Sequence, residues 1–162
     1  MCTGDNAHTG MAVARNVNML ARKENSDITV IMGEAAAPDF RCVNFTTVDA
    51  GLSVDYADVF ASDPSKTELV LTATAFNALC QPSSMVTGSP LSDCGRECDI
   101  DTSCDERMSL IPPKDHVNSD APIVSLMPMV RVLARMKPND KVQTINLLQD
   151  RGLVVGMVGD GG

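Results

Sequence analysis

Val130-Arg131-Val132-Leu133-Ala134-Arg135-Met136-Lys137-Pro138 and, one helix-length later, Gly152-Leu153-Val154-Val155-Gly156-Met157-Val158-Gly159-Asp160 decide the fold class. The first five residues are aliphatic and β-branched around a single Arg, which predicts a strand over Val130–Ala134. Pro138 suits a first helical position, because the N–H that it lacks would have no intrahelical partner there. Asp140 in the first turn and Arg151 in the last match the helix dipole, and Val142, Ile145 and Leu148 fall on one face. Gly152 predicts a helix stop. Leu153 to Val158 is an almost unbroken apolar run, the pattern of a central parallel strand covered on both faces. Strand, helix and strand with short joints make a βαβ unit, so the expected class is α/β with a parallel, Rossmann-like sheet. In such sheets ligands gather beyond the carboxyl ends of the strands.

Working outward, residues 1–22 predict the end of a strand, a turn and then a helix. Asn6 is a good N-cap, and Val13, Val17 and Leu20 recur at helical spacing as a candidate apolar face. Gly10 weakens that helix. Ile28-Thr29-Val30-Ile31-Met32 predicts a short strand ended by Gly33. Residues 34–66 are mixed and acidic and point to no definite element. Leu69 to Ala73 predicts a second buried strand, with a helix starting within residues 75–80. Residues 81–120 are rich in proline and acid, hold three Cys and lack aromatics, so they are expected to form an acidic insert or loop. Three segments result: 1–80, 81–120 and 121–162.

The net charge of −8 makes a phosphate backbone a poor partner, which argues against nucleic acid. The acid is concentrated in the middle of the chain, and residues 121–162 are basic on balance. That distribution suits a phosphate-handling site built from the two ends. Cys2, Cys42 and Cys80 stand alone in apolar contexts and are expected to be small core residues of a reducing compartment. Cys94, Cys98 and Cys104 stand among Asp93, Asp99, Asp101 and Asp105, with His116 the one histidine nearby. Their wide spacings differ from the paired Cys-x-x-Cys of zinc sites and from the calcium-loop pattern, so a solvated acidic loop is the expected reading.

Three strings carry chemistry. Thr3-Gly4 can offer a hydroxyl and bare N–H groups to a phosphoryl group, with a helix N-terminus behind them. Lys141, on the first turn of its helix, can neutralise charge on a phosphoryl group in transfer. Asp160, among glycines after an apolar run, is a natural magnesium ligand. Each string alone is also an ordinary turn or a solvated side chain. The glycines near Asp160 are not a dinucleotide fingerprint, because no helix follows them.

Taken in order, Thr3-Gly4-Asp5-Asn6, Ala134-Arg135-Met136-Lys137-Pro138-Asn139-Asp140-Lys141 and Gly159-Asp160-Gly161-Gly162 resemble the phosphorylation domain of P-type ATPases. That domain belongs to the haloacid-dehalogenase-like superfamily. Its motifs are Thr-Gly-Asp, Ala-Arg-x-x-Pro-x-x-Lys with small spacing variants, and Gly-Asp-Gly-x-Asn-Asp. Thr9 and Val13-Ala14-Arg15 also look like the helix after the family's Thr-Gly-Asp. The spellings Ala-Arg-Met and Val-Gly-Met-Val-Gly-Asp-Gly are similar to type five, subclass B, which resembles endolysosomal or vacuolar polyamine exporters. The likeness is dense over residues 2–20 and 130–162 and loose over Leu69 to Phe76.

The resemblance implies an enzyme that hydrolyses ATP with Mg2+ to drive cation or polyamine transport, the parent in a membrane and this segment on its cytosolic side. It implies that Thr3 and Gly4 hold the phosphoryl group, that Lys141 stabilises its charge and that Asp160 binds magnesium. It implies that Asp5 and Arg135 touch the nucleotide, and that the partners are ATP and the remaining domains and membrane helices of the parent. The chain departs from the pattern in lacking the nucleophile string Asp-Lys-Thr-Gly-Thr and in placing Gly10 where the family more often has Ala. A fragment of a larger transporter, inactive alone, is therefore the expected reading. A stand-alone phosphatase of the superfamily would need an Asp-x-Asp string before Thr3, whereas Asp99-Ile100-Asp101 comes after it. A non-catalytic nucleotide-binding module is the remaining alternative.

Overall fold

The computed structural model describes residues 1–22, 27–35, 42–82, 117 and 119–156. In chain order the elements are α1 (Ala7–Asn16), β1 (Thr29–Ala35), β2 (Val43–Thr47), β3 (Ser53–Val54), α2 (Tyr56–Ala61), β4 (Thr67–Thr72), α3 (Ala73–Leu79), α4 (Pro122–Leu126), β5 (Val130–Ala134) and α5 (Pro138–Asp150). The strands form one sheet in the order β3-β2-β1-β4-β5. β1, β4 and β5 run parallel, while β2 and β3 add an antiparallel edge, which needs no crossover helix. The class is thus α/β as the sequence implies, with a mixed sheet in place of a parallel one.

β4 is buried at every position, so layers must cover both faces of the sheet. Side chains alternate accordingly. Val70 meets Val30, Val132 and Ala134 under α1, together with Ala7, Met11, Ala14 and Leu20. Leu69 and Leu71 face the opposite way, with Ile31, Phe45 and Leu133, against Phe76, Leu79, Ile123, Leu126 and Leu147. Two helix layers therefore enclose the sheet.

Local signals account for the helix ends. The Asn6 side chain accepts from Thr9 N–H at 2.9 Å. Pro138 opens α5, and Gly152 follows its end at φ +76°, the left-handed conformation that glycine adopts without strain.

Several expected faces differ. α1 buries Ala7, Gly10, Met11 and Ala14; of the expected face Val13 and Val17 are exposed, and Leu20, beyond the helix end, is buried. The small residues win because a Cβ on Gly10 would already stand 3.2 Å from Thr3 Cγ2 and 3.3 Å from Val132 Cγ1; bulkier side chains would lift the helix off the sheet. α5 buries Asp140, Thr144 and Leu147, and Val142 is exposed. β1 continues through Gly33 to Ala35 instead of stopping at it. Residues 34–66, left without an element by sequence reading, contain β2, β3 and α2. Leu153–Gly156 is not a buried central strand: it has no strand structure, and Val154 is fully exposed. A parallel strand needs a neighbour for its ladder, and no described strand pairs with this run. The expected acidic insert lies, for residues 83–116, outside the described residues, as do Cys94, Cys98 and Cys104.

Gly33 sits mid-strand because its neighbours occupy the space of a side chain. A Cβ there would stand 2.7 Å from Leu71 Cδ2 and 2.8 Å from Phe45 Cε1. Gly33→Ala is expected to overpack this layer and lower the unfolding free energy by about 1–3 kcal/mol. Urea denaturation should show a lower midpoint at unchanged slope. An unchanged midpoint would mean that Phe45 and Leu71 move aside freely.

Candidate functional site

The first residues of the chain lie along the outer edge of β5. Cys2 forms a parallel bridge with Leu133, on the side of β5 away from β4. Thr3 N–H donates to Leu133 O at 2.9 Å, and Leu133 N–H donates to Met1 O at 2.8 Å. The Met1 ammonium donates to Arg131 O at 2.6 Å. Met1–Thr3 therefore adds a short sixth line to the sheet, and the Thr3-Gly4-Asp5 turn emerges at the carboxyl end of β5.

Beyond that end the turns are bonded to each other. Arg135 N–H donates to Asp5 O at 2.8 Å, and Met136 N–H donates to Thr3 O at 3.0 Å. Arg135 takes φ +58°, a left-handed conformation that costs a non-glycine residue on the order of 1–2 kcal/mol. Those two bonds hold it there. Strain of this kind is typical of functional turns. Its side chain is exposed, as is that of Asp5.

The Thr3 hydroxyl accepts from Asp5 N–H at 3.1 Å and donates to Asp5 Oδ2 at 3.1 Å. Gly4 N–H has no partner among the described residues. The N–H groups of Ala7 and His8, in the first turn of α1, have no intrahelical acceptor either. Gly4 needs its glycine neither for backbone conformation nor for packing: its φ is not positive, and an added Cβ would meet only Met136 O at 3.9 Å.

Lys141 is half-buried on the first turn of α5. Its ammonium is close enough to Cys2 to favour the thiolate, although burial dominates and pushes that thiol up. Backbone bonds thus bring Thr3, Gly4, Asp5 and Arg135 together, with Lys141 within electrostatic reach of neighbouring Cys2. Asp160 lies outside the described residues. Among the described residues no group of three or more His, Cys, Asp or Glu converges as a metal site, and no helix is long and apolar enough to cross a membrane. A cleft of about 330 Å3 lined by Met127, Pro128, Leu148, Arg151 and Leu153 lies at the far end of α5 and takes no part in this site.

Sequence reading missed Asn77 and Asp140 as neighbours of the site. Asn77 on α3 donates to Asp140 Oδ1 at 3.1 Å, and Asp140 Oδ2 accepts from Lys137 N–H at 2.9 Å. The second bond is half of a capping box; a lysine ammonium has no lone pair with which to return the other half. The signal was the acid three residues after the cap position. Nothing local pointed to Asn77.

Comparison of the chain with protein-family models, with curated proteins and with solved structures finds no match in any of the three.

Cys80, at the end of α3, is pushed up to about 12, by burial first and then by the Asp140 carboxylate. Unfolded, it ionises near the ordinary 9.0. Between those values the unfolded chain has released a proton that the folded chain retains. Stability is therefore intact below pH 9 and falls as pH rises above it, by up to about 1.4 kcal/mol per pH unit. Denaturation midpoints at pH about 8 and about 10 should differ more in the wild type than in Cys80→Ala. Equal differences would show that Cys80 is not the group responsible.

Proposed function

We propose that this chain is part of the cytosolic phosphorylation domain of a P-type, ATP-driven cation or polyamine transporter that works through an aspartyl phosphate. One observation carries the reading: Thr3 and Asp5 carbonyls accept from Met136 and Arg135 N–H groups, which joins two of the three strings of the resemblance at strand ends. Three further features support it. Gly4 is a glycine without a packing or conformational need, as expected where a ligand approaches bare backbone. The outer edge of Met1–Thr3 is open among the described residues, and Leu153-Val154 is apolar and exposed. A strand carrying Asp-Lys-Thr-Gly-Thr at that edge would put its carboxylate beside Thr3.

In this arrangement the Thr3 hydroxyl and Gly4 N–H orient the phosphoryl group, and Lys141 balances the charge that develops on it. Asp5 and Arg135 face the nucleotide. Asp160 is the residue that would hold magnesium, with phosphate oxygens and water completing a shell that needs only one or two carboxylates. The metal supplies neutralisation of phosphate charge. The covalent intermediate divides hydrolysis into two easier steps, and its nucleophile must come from a strand that this sequence lacks.

The coding sequence on both sides of the chain tests the reading. Asp-Lys-Thr-Gly-Thr is expected upstream of Met1 and Asn-Asp directly after Gly162; a stop codon there with an untranslated leader before Met1 would refute it. The isolated chain with labelled ATP and magnesium should form no acid-stable phosphoenzyme. In the complete protein Lys141→Ala should cut phosphoenzyme turnover by about 10²–10³ with little change in ATP binding. Unchanged turnover would return Lys141 to an ordinary surface lysine.

A further inference from the structure

Asp140 is a carboxylate with only 9% of its surface exposed, and both of its oxygens are engaged. Oδ2 accepts from Lys137 N–H at 2.9 Å, and Oδ1 accepts from Asn77 Nδ2 at 3.1 Å. Lys137 is the N-cap of α5 and Asn77 belongs to α3, so one carboxylate ties the first turn of α5 to a neighbouring helix. The chain entering that turn is held from the other side, by Met136 N–H on Thr3 O and Arg135 N–H on Asp5 O. Thr144 Oγ1 donates to Asp140 O at 2.9 Å and fixes the next turn. Farther along α5 the one apolar side chain fully in the core is Leu147. The direction of the helix start is thus set by these polar bonds together with the core packing of Met136. Asn77 is exposed, so it does not serve to fill the core.

We propose that Asn77 is a positioning residue that acts through Asp140 to set the direction in which the first turn of α5 presents Lys141 to the Thr3–Gly4 turn. The consequence for phosphoryl transfer rests on the reading above; the placement of Lys141 does not. Lys141 follows Asp140 directly, so any rotation of this turn carries both charges with it. Without the Asn77 amide, Asp140 Oδ1 would turn to water, and the helix start would pivot about Lys137 and Pro138.

Cys2 reports on this geometry without any phosphoryl chemistry. Burial pushes its thiol up; against that the nearby Lys141 and Met1 ammonium groups favour the thiolate and the Asp140 carboxylate opposes it, with Lys141 the largest of the three charges. The rate of Cys2 alkylation can be followed across pH by peptide mass in the 162-residue chain. Lys141→Met should raise the midpoint of that profile by about half a pH unit, the size expected of one nearby, partly solvated charge. Asn77→Ala should raise it toward the same value, and should add nothing when Lys141 is already Met. If Asn77→Ala loses cooperative unfolding, Asn77→Gln, with the amide on a longer arm, takes its place with the same expected outcome. An unchanged midpoint in the Asn77 variant, or an equal shift with and without Lys141, would overturn the proposal. So would a Lys141→Met midpoint identical to wild type. A failure of the transporter reading appears in the flanking coding sequence and leaves these midpoints untouched.

Discussion

The pairing of Met1–Thr3 with β5 is the constraint on which the rest of the site depends. It joins groups 130 residues apart in the chain and sets where every element after Thr3 can go. Once Cys2 lies beside Leu133, the turn at Thr3-Gly4-Asp5 must emerge where Ala134 hands over to Arg135. α1 must then fall across Val132 and Val70. Closing so long a loop adds little beyond a shorter one, since the entropy cost grows only with the logarithm of length. The apolar layer under α1 offsets that cost. Gly10 permits the close approach, and the Thr3 methyl becomes part of the packing between helix and sheet. A residue of the candidate site is thereby also a contact of the core, which limits how far its hydroxyl can wander.

Much of the parallel half of the sheet could be read from the sequence, because its signals are local. Val130–Ala134 is a strand over the residues that its composition implied, and Asn6, Pro138 and Gly152 end or begin helices where their backbone chemistry demands. The helix faces were misread for a physical reason. Around α1 the expected set Val13, Val17 and Leu20 competes with Ala7, Met11 and Ala14 at helical spacing; of the first set only Leu20, beyond the helix end, is buried. Close approach to the sheet selects small residues, and approach distance is a tertiary quantity. In α5, Asp140 and Thr144 are buried because each has hydrogen-bond partners, which one of them finds on another helix. β2 carries an alternation in which Val43 and Phe45 point inward, but its acidic surroundings hid it. Whether it would pair parallel or antiparallel to β1 could not be read from its own residues. Of the candidate site, the meeting of the Thr3 and Arg135 turns was foreshadowed by their place at strand ends, while the Asn77 contact was not.

The polar groups behind the site repeat one pattern. Glu68, on the central strand, is nearly buried; it accepts from Ala21 N–H at 2.6 Å and from Arg131 Nε at 3.3 Å. Asp140 does the same between α3 and α5. In each case one carboxylate joins segments far apart in the chain: Glu68 ties the turn after α1 to β5, and Asp140 ties α3 to the start of α5. A buried carboxylate is costly unless its oxygens are bonded. Its value here is directional, because two fixed donors define an orientation that aliphatic contacts leave loose.

Among the described residues Leu153-Val154 is exposed and no strand pairs with the outer edge of Met1–Thr3. β-propensity describes fit to a neighbour more than an intrinsic backbone preference, so an apolar, β-branched run without a partner stays outside the sheet. Leaving a large aliphatic side chain in water forgoes roughly 1.5–3 kcal/mol each. Leu153, Val154 and Val142 all lie in that condition. An edge with free N–H and C=O groups is a template for another strand, and folded proteins normally pair or cover such an edge. Here the edge is only a single bridge long, which restrains promiscuous pairing. The edge lacks backbone partners and the aliphatic run lacks apolar cover among the described residues.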